Sequence, residues 1–173
     1  MAIHGKEGAI VVLRINEELI AEGNNTVSLE ENKVIVRKAI EALNRQDLSL
    51  LDDFFSPDYV VHTYQIRGLD EFKQYYARLY KGFPDWHETI EDLIAEGDKV
   101  CVRLTINTGI HTGEFRGIAP TGKKSTHKAI QIWQIIDGRV MKKESIYDQL
   151  DFLKQLGIIE ITEKGKQLFP EEK

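Results

Sequence analysis

Residues 126–147, THKAIQIWQIIDGRVMKKESIY, contain the hairpin that decides the fold. Asp137-Gly138 separates two runs rich in β-branched and aromatic residues, and this dipeptide is typical of a tight hairpin turn. We predict strands at Thr126–Ile136 and Arg139–Tyr147. A similar pair, Glu88–Ala95 and Lys99–His111, precedes them, so the second half of the chain is predicted to be an antiparallel meander.

The first half of the chain has helical periodicity instead. Apolar residues recur three and four positions apart in two stretches. They are Val36, Ala39, Ile40 and Leu43, followed by Leu69, Phe72, Tyr76 and Leu79. A shorter helix is predicted at Leu48–Phe55, and another closes the domain at Asp148–Leu156. Helices followed by a meander predict an α+β fold in which a curved antiparallel sheet wraps around the N-terminal helices.

A length of 173 residues fits one domain with terminal extensions. The S-x-x-E pattern of Ser28 and Glu31 is typical of a capping box, which marks where the first core helix begins. We therefore predict an N-terminal extension at 1–27, one domain at 28–157 and a C-terminal tail at 158–173.

Composition excludes several classes of protein. The net charge of −5 and the lack of a Lys/Arg-rich run argue against a nucleic-acid partner. The apolar run Ala9–Leu13 is too short to cross a membrane. The single cysteine, Cys101, cannot form an intrachain disulfide and is predicted to be a buried, inert thiol. These features predict a cytoplasmic protein.

Motifs for metals and cofactors are missing from the sequence. The five histidines show no metal-ligand spacing, so no metal is predicted. The glycines do not form a nucleotide-binding motif, and the loop Gly113–Lys124 lacks the strand-to-helix context of a phosphate cradle. The sequence lacks the G-x-S-x-G elbow, so a serine hydrolase is not predicted. We expect no cofactor.

The histidines offer the first catalytic candidates. His62 follows two valines in a short strand, where it either exchanges a proton in a pocket or serves as a structural histidine. His111 ends a strand, and we expect it either to act in catalysis or to hydrogen-bond the loop that follows. His87 and His127 are predicted to be exposed near strand ends.

Other candidates lie on the central hairpin. Gln131 and Trp133 share one face, so they are predicted to line a pocket for a small apolar molecule. Gln131 needs a partner if buried, because an unsatisfied amide costs about 1–3 kcal/mol. Asp148 is expected to cap the last helix.

The turn decides which face of the last strand points inward. A two-residue loop at Asp137-Gly138 places Gln131 opposite Glu144, which would then be a pocket carboxylate and candidate base. A three-residue loop with Gly138 in the left-handed region shifts the register by one and places Gln131 on the face of Lys143 and Ser145, with Tyr147 on the same side.

The other face of the central strand is also apolar. It carries Ile130, Ile132 and Ile136, and exposed apolar patches of this kind usually mark interfaces. We predict a homodimer through this outer sheet face. The alternative is that the C-terminal tail folds back over it.

Several motifs together resemble the SnoaL-like polyketide cyclase family over roughly residues 31–157. Their order and spacing carry the likeness. The motifs are Phe83-Pro84-Asp85, Glu91–Val100, His111–Phe115, Gly117-Ile118, Pro120-Thr121-Gly122, Asp137-Gly138-Arg139 and Asp148-Gln149-Leu150. The resemblance implies a cone of the nuclear-transport-factor type, which is often dimeric and which ketosteroid isomerases share.

The resemblance also implies a chemistry. Cyclases of this family close a ring by intramolecular aldol addition without a cofactor, using an acid/base aspartate and a histidine. The matching positions are Ser145 and Gln131 here. A serine hydroxyl is not a general base near neutral pH without an activating neighbour.

Two functions are therefore carried forward. The first is a cofactor-free cyclase or isomerase acting on a small carbonyl compound, with His62, His111 or Glu144 replacing the missing aspartate. The second is a non-catalytic binding protein, in which Gln131 and Ser145 orient a ligand while Trp133 and Tyr147 pack against it.

Overall fold

A computed structural model of the protein describes residues 29–61, 63 and 65–168. The extension predicted at 1–27, the proposed cap residue Ser28 and the candidate His62 lie outside these residues. The elements in chain order are α1 (29–44), a 3-10 turn (Leu48–Leu50), α2 (Leu51–Phe54), β1 (Phe55–Val61), β2 (Ile66–Arg67), α3 (Leu69–Gly82), β3 (His87–Glu96), β4 (Lys99–Ile110), β5 (Lys124–Ile136), β6 (Arg139–Tyr147), α4 (Gln149–Gln155) and α5 (Glu163–Lys166). None of the helices in this part of the chain is long and apolar enough to cross a membrane.

The strands form one six-stranded sheet in the order β2-β1-β6-β5-β4-β3. The α+β prediction is confirmed, with one difference: β1 pairs with β6 in parallel. A parallel pair requires a long crossover, and here β2, α3 and the strands β3 to β5 supply it. Register shifts interrupt the meander in three places, and such bulges bend the strands around the helices.

The core lies between the helices and the concave face of the sheet. All eight periodic positions predicted for the two main helices are buried in α1 and α3. From the sheet side, Val100, Val102 and Leu104 of β4 complete the core with no exposed surface. The helical pattern read from the sequence therefore identifies the face that packs on the sheet.

The central hairpin combines features of both predicted registers. Asp137 (φ 50°) and Gly138 (φ 74°) form a two-residue turn with two left-handed residues, and Ile136 pairs with Arg139. A bulge then shifts the register, because Ile135 pairs with Val140 whereas Gln134 pairs with Lys142. The extra residue, Met141, brings Ser145 opposite Gln131.

The loop between β4 and β5 is tied to the end of α3. Thr112 and Gly113 both donate backbone hydrogen bonds to the carbonyl of Gly82, at 3.0 and 3.3 Å. A Cβ atom at Gly113 would lie 2.1 Å from the carbonyl oxygen of Lys81, so only glycine allows this approach. The contact holds the segment around Phe115 beside α3.

Asp148 caps helix α4, as predicted. The carboxylate of Asp148 accepts a hydrogen bond from the backbone N–H of Asp151 at 3.0 Å. Gln155 then bonds both the N–H and the carbonyl of Thr126, which fixes α4 against the start of β5. This places Phe152 at the edge of the concave face, where it is buried.

Candidate active site

A cavity of about 50 Å³ lies between α3 and the inner faces of β3 to β6. Aromatic and aliphatic side chains such as Phe72, Leu79 and Ala129 form most of its wall. Besides the tyrosines and Trp86, a few polar side chains among the described residues line the cavity. They are Glu88, Arg116, His127, Gln131, Lys143 and Ser145.

Glu88 places a carboxylate in this wall, and its side chain is only 3% exposed. Asn44, at the end of α1, bonds both the N–H and the carbonyl of Glu88 at 2.8 Å, which fixes the start of β3. The Glu88 Oε1 atom accepts hydrogen bonds from the Tyr76 hydroxyl at 3.0 Å and the Trp86 indole N–H at 3.1 Å. Oε2 is buried with no hydrogen-bond partner among the described residues.

Tyr76 remains a hydrogen-bond donor to this carboxylate. Its pKa is raised well above the usual tyrosine value, first by burial and then by the negative charge of Glu88. The phenol therefore stays protonated over the whole physiological range. One oxygen of Glu88 is held in place, and the other is left for a ligand.

Lys143 brings a cation to the same cavity, with 3% of its surface exposed. Its ammonium lies over the rings of Phe72, Trp133 and Tyr76, at 5.0, 5.1 and 5.8 Å from their centroids. Burial lowers the pKa of Lys143 from 10.5 to about 8, and the charge of Glu88 opposes part of that effect. A measurable fraction of the amine is therefore neutral near physiological pH.

Gln131 and Ser145 face each other across β5 and β6 and both line the cavity. The Gln131 Oε1 atom accepts a hydrogen bond from the Trp133 indole N–H at 2.8 Å, so the amide nitrogen of Gln131 is the end available to a ligand. The Ser145 Oγ atom is buried and lacks a hydrogen-bond partner within the described part of the chain. This pair can donate two hydrogen bonds to one oxygen atom.

Trp133 lies deeper than predicted. Its side chain is completely buried, packs against Phe55 with ring centroids 5.7 Å apart and is not part of the cavity wall. Because its N–H holds the Gln131 amide and its ring lies beneath Lys143, it supports residues that do line the cavity. Tyr147 lines the cavity, as predicted from its face of β6.

Two of the predicted catalytic residues lie elsewhere. The bulge at Met141 turns Glu144 to the exposed outer face, where it pairs with Lys142 at 2.5 Å. His111 is buried against Phe83, and its Nδ1 accepts a hydrogen bond from the backbone N–H of Thr121 at 3.3 Å. His111 therefore orders the loop that follows it, the second of the roles considered for it.

His127 was predicted to be exposed, and this is wrong. The residue lies well inside β5, 3% exposed, with its ring near Trp86, Tyr147 and Phe152. Burial lowers the pKa of His127 to about 4, against a weaker opposing effect of Asp151 and Asp148. His127 is therefore a neutral imidazole at physiological pH. His87, in contrast, is exposed as expected.

The route into the cavity passes Tyr75, Phe115 and Arg116. These three residues line both the inner cavity and a groove of about 510 Å³ on the outside of α3, so the two spaces adjoin there. The guanidinium of Arg116 lies 5.3 Å from the Phe115 ring centroid and 5.8 Å from that of Tyr75. An aromatic entrance with one cation suits a flat, electron-rich ligand.

The described residues contain no group of three or more His, Cys, Asp or Glu side chains that could hold a metal ion. From the described part of the chain, one carboxylate, one amine and one guanidinium line the cavity. The chemistry that this set supports directly is proton transfer next to a polarised carbonyl group.

The model of the SnoaL-like polyketide cyclase family matches residues 33–156. The chain belongs to this family. Its relatives include the aklanonic acid methyl ester cyclase AcmA of Streptomyces galilaeus, which is 28% identical over 134 residues, 75% of this chain and 92% of the relative. The family resemblance inferred from the sequence motifs is confirmed.

Solved structures agree with this assignment. TsrD from Streptomyces laurentii superposes with a TM-score of 0.70 at 27% identity, covering 75% of this chain and 97% of that one. AclR from Streptomyces galilaeus, a candidate hydroxylase, gives 0.67 at 26% identity and covers 76% and 99% of the two chains. The SnoaL-like fold therefore carries proteins described with different activities.

Sequence reasoning did not name Glu88 or His127 as site residues, and it gave Lys143 no role. Alternation along β6 placed Lys143 on the face of Ser145 in the shifted register, and this was the signal for it. The same alternation along β5 leads from Gln131 to His127. Glu88 had no comparable signal, since most of β3 is exposed.

Proposed function

We propose that the protein is a cofactor-free cyclase or isomerase that removes a proton next to the carbonyl group of a small, largely apolar molecule. One observation carries this proposal: the Glu88 carboxylate lies in the cavity wall with Oε1 held by two donors and Oε2 unpartnered among the described residues. A carboxylate oriented in this way is a suitable general base.

In this proposal Ser145 and Gln131 hold the carbonyl oxygen of the ligand. Their hydroxyl and amide groups face each other across the two central strands. Hydrogen bonds from them would stabilise the negative charge that develops on the oxygen as Glu88 takes the proton. The resulting enolate carbon then adds to a second carbonyl within the same molecule, and Glu88 returns the proton to the new alkoxide.

The base has a different position from that implied by the family resemblance. The resemblance places an acid/base aspartate at Ser145 on β6, whereas Glu88 belongs to β3 and approaches the cavity from the opposite side. The same class of proton transfer would then use a base on β3 and oxygen-binding groups on β5 and β6.

The names of the relatives suggest a class of ligand. AcmA and the cyclase DauD of Streptomyces sp. (strain C5) are both named for aklanonic acid methyl ester. We propose a keto ester or polyketide-derived ketone as the ligand. The apolar wall supports a ligand of that kind if its reacting carbonyl enters the inner cavity and its remainder occupies the adjoining groove of about 510 Å³.

A cytoplasmic location remains a prediction. It rests on Cys101, which is half-buried, has no disulfide partner and is the single cysteine of the sequence.

Substitution of Glu88 by glutamine tests the proposed base. The reaction is followed by chromatography with aklanonic acid methyl ester and a panel of smaller aryl keto esters, and binding is followed as a thermal shift. We expect Glu88→Gln to reduce turnover about 10²- to 10⁴-fold because the amide cannot accept the proton. The thermal shift should persist, since the cavity keeps its shape.

Glu96→Gln is the matched control, because Glu96 is exposed at the far end of the same strand. It should turn over at the wild-type rate. A Glu88→Gln variant with full activity would exclude Glu88 as the base. If the wild-type protein binds these compounds without converting them, the non-catalytic binding function replaces the enzyme.

We also propose that the protein forms a homodimer through the outer sheet face. Ile130 and Ile146 are opposite each other on β5 and β6 and are 52% and 81% exposed. Ile132 and Ile94 flank Cys101 in the next row across the sheet and are exposed as well. Exposed apolar side chains in neighbouring rows of one sheet face support burial against a second copy.

Charged residues on that surface should separate the subunits. We expect the double variant Ile130→Lys/Ile146→Lys to be a monomer by size-exclusion chromatography with light scattering at micromolar concentration, where the wild-type protein is a dimer. Ile110→Lys, at the end of β4, should leave the dimer intact. A wild-type monomer would contradict the proposal and favour the alternative that the C-terminal tail covers this face.

A further inference from the structure

Lys143 occupies an unusual position for a lysine. Its side chain points into the cavity from the middle of the sheet, since β6 lies between β5 and β1 and Lys143 pairs with Trp133 on one side and Val61 on the other. No carboxylate oxygen of the described residues lies within ion-pair distance of its Nζ atom. Lysines are almost never fully buried unless they are paired.

A purely structural role does not explain this arrangement. The three aromatic rings around the ammonium offset only part of the cost of removing it from water, and an apolar side chain of similar size would fill the same space. Glu88 lies across the cavity, where its charge is felt by Lys143 although the two groups are not paired. The amine is therefore presented to whatever occupies the cavity.

We propose that Lys143 is a nucleophile that binds carbonyl ligands covalently as an imine. This inference rests on the proposed function, because it names the form in which the same cavity activates its ligand. Two polar groups lie near Nζ. Ser145 is two residues away on the same face and would lie beside the carbonyl oxygen of the ligand, and Gln131 is diagonal to Lys143 across the strand pair.

The step balances without a co-reactant. The lone pair of the neutral Nζ forms a C–N bond with the carbonyl carbon, and the two amine hydrogens leave with the carbonyl oxygen as water. A proton on the imine nitrogen gives an iminium ion, which makes the adjacent C–H bond more acidic. Glu88 removes the proton from this C–H bond to give an enamine, which is a carbon nucleophile. Hydrolysis later restores the lysine.

The test uses the full chain and pentane-2,4-dione, a 1,3-diketone that forms a stable conjugated enaminone with a neutral amine. Each modified lysine gains the mass of the diketone less one water, and peptide mass spectrometry locates it. We expect Lys143 to be modified at least about ten-fold faster than the adjacent Lys142, because a larger fraction of a buried amine is neutral. Lys142 is half-buried and paired with Glu144, so it is the matched internal control.

Two variants make the result decisive. Lys143→Met should lose the fast labelling and its ultraviolet absorbance, whereas Lys142→Met should keep both. Labelling spread evenly over the lysines, or none at Lys143, would overturn the inference. If Lys143 is not labelled but turnover depends on Glu88, the proposed function survives without the imine. Fast labelling of Lys143 with no Glu88-dependent turnover would support the nucleophile and contradict the acid–base function.

Discussion

Replacement of Lys143 by methionine is expected to raise the free energy of unfolding at pH 7 by about 2 kcal/mol. The pKa of Lys143 is lowered from 10.5 to about 8 by burial, so keeping the ammonium charged inside the protein costs about 3 kcal/mol at one pKa unit per 1.36 kcal/mol. The contacts with three aromatic rings are lost in the variant, and this reduces the gain.

The stability gained by Lys143→Met should decrease as the pH rises. Between pH 8 and 10.5 the unfolded chain keeps a proton on Lys143 that the folded protein has released, so wild-type stability rises with pH in this window. The difference between Lys143→Met and wild type should therefore shrink from pH 7 to pH 10. Urea unfolding at both pH values measures it.

Lys142→Met is the control for this comparison. Lys142 is only half-buried, and we expect its replacement to change stability by no more than about 0.5 kcal/mol at either pH. A destabilised Lys143→Met variant at pH 7, or a gain independent of pH, would show that the buried charge is not a cost to the fold. Loss of ligand chemistry in a more stable variant is the pattern expected of a residue retained for function.

Truncation of Trp133 to alanine should have the largest effect on stability, a loss of about 3–5 kcal/mol. The indole is completely buried against Phe55, and its N–H holds the Gln131 amide at 2.8 Å. Alanine leaves a cavity where the ring was, and it leaves the Gln131 oxygen without its donor. Urea or thermal unfolding monitored by circular dichroism measures the loss.

Lys128→Ala is the matched surface variant on the same strand. Lys128 is exposed on the outer face of β5, so its replacement should cost less than about 0.5 kcal/mol. Trp133→Phe should fall between the two, because it keeps most of the buried ring and loses the hydrogen bond. Equal stability of Trp133→Ala and Lys128→Ala would mean that the indole does not support the residues that line the cavity.

The fold could be predicted because its features are local in the chain. Helical spacing identified the buried faces of α1 and α3, and Asp137-Gly138 located the central turn. The parallel pairing of β1 with β6 could not be predicted in this way. It joins segments separated by the entire meander, and no residue pattern in β1 specifies its neighbour.

The candidate site was predictable only in part. Gln131 was found as a polar residue on an apolar strand, Ser145 through the shifted register and the family resemblance, and Tyr147 through alternation along β6. Glu88 was not found because its burial results from packing under α3 and from hydrogen bonds with Asn44 and Tyr76, which lie 44 and 12 residues away along the chain. Glu144 was predicted to be a pocket carboxylate on the assumption that the hairpin contains no bulge.

The bulge at Met141 has a consequence for how relatives of this protein can diverge. Side chains alternate between the two faces of a strand, and the extra residue at the bulge is what keeps Lys143 and Ser145 on the inner face of β6. If β5 and β6 paired regularly from the turn onward with no residue removed, Glu144 would lie opposite Gln131 in the interior and Lys143 would leave it. Loss of the bulge at constant chain length is thus enough to convert an amine-bearing cavity into one that bears a second carboxylate, with no change in the identity of any of the residues that exchange faces.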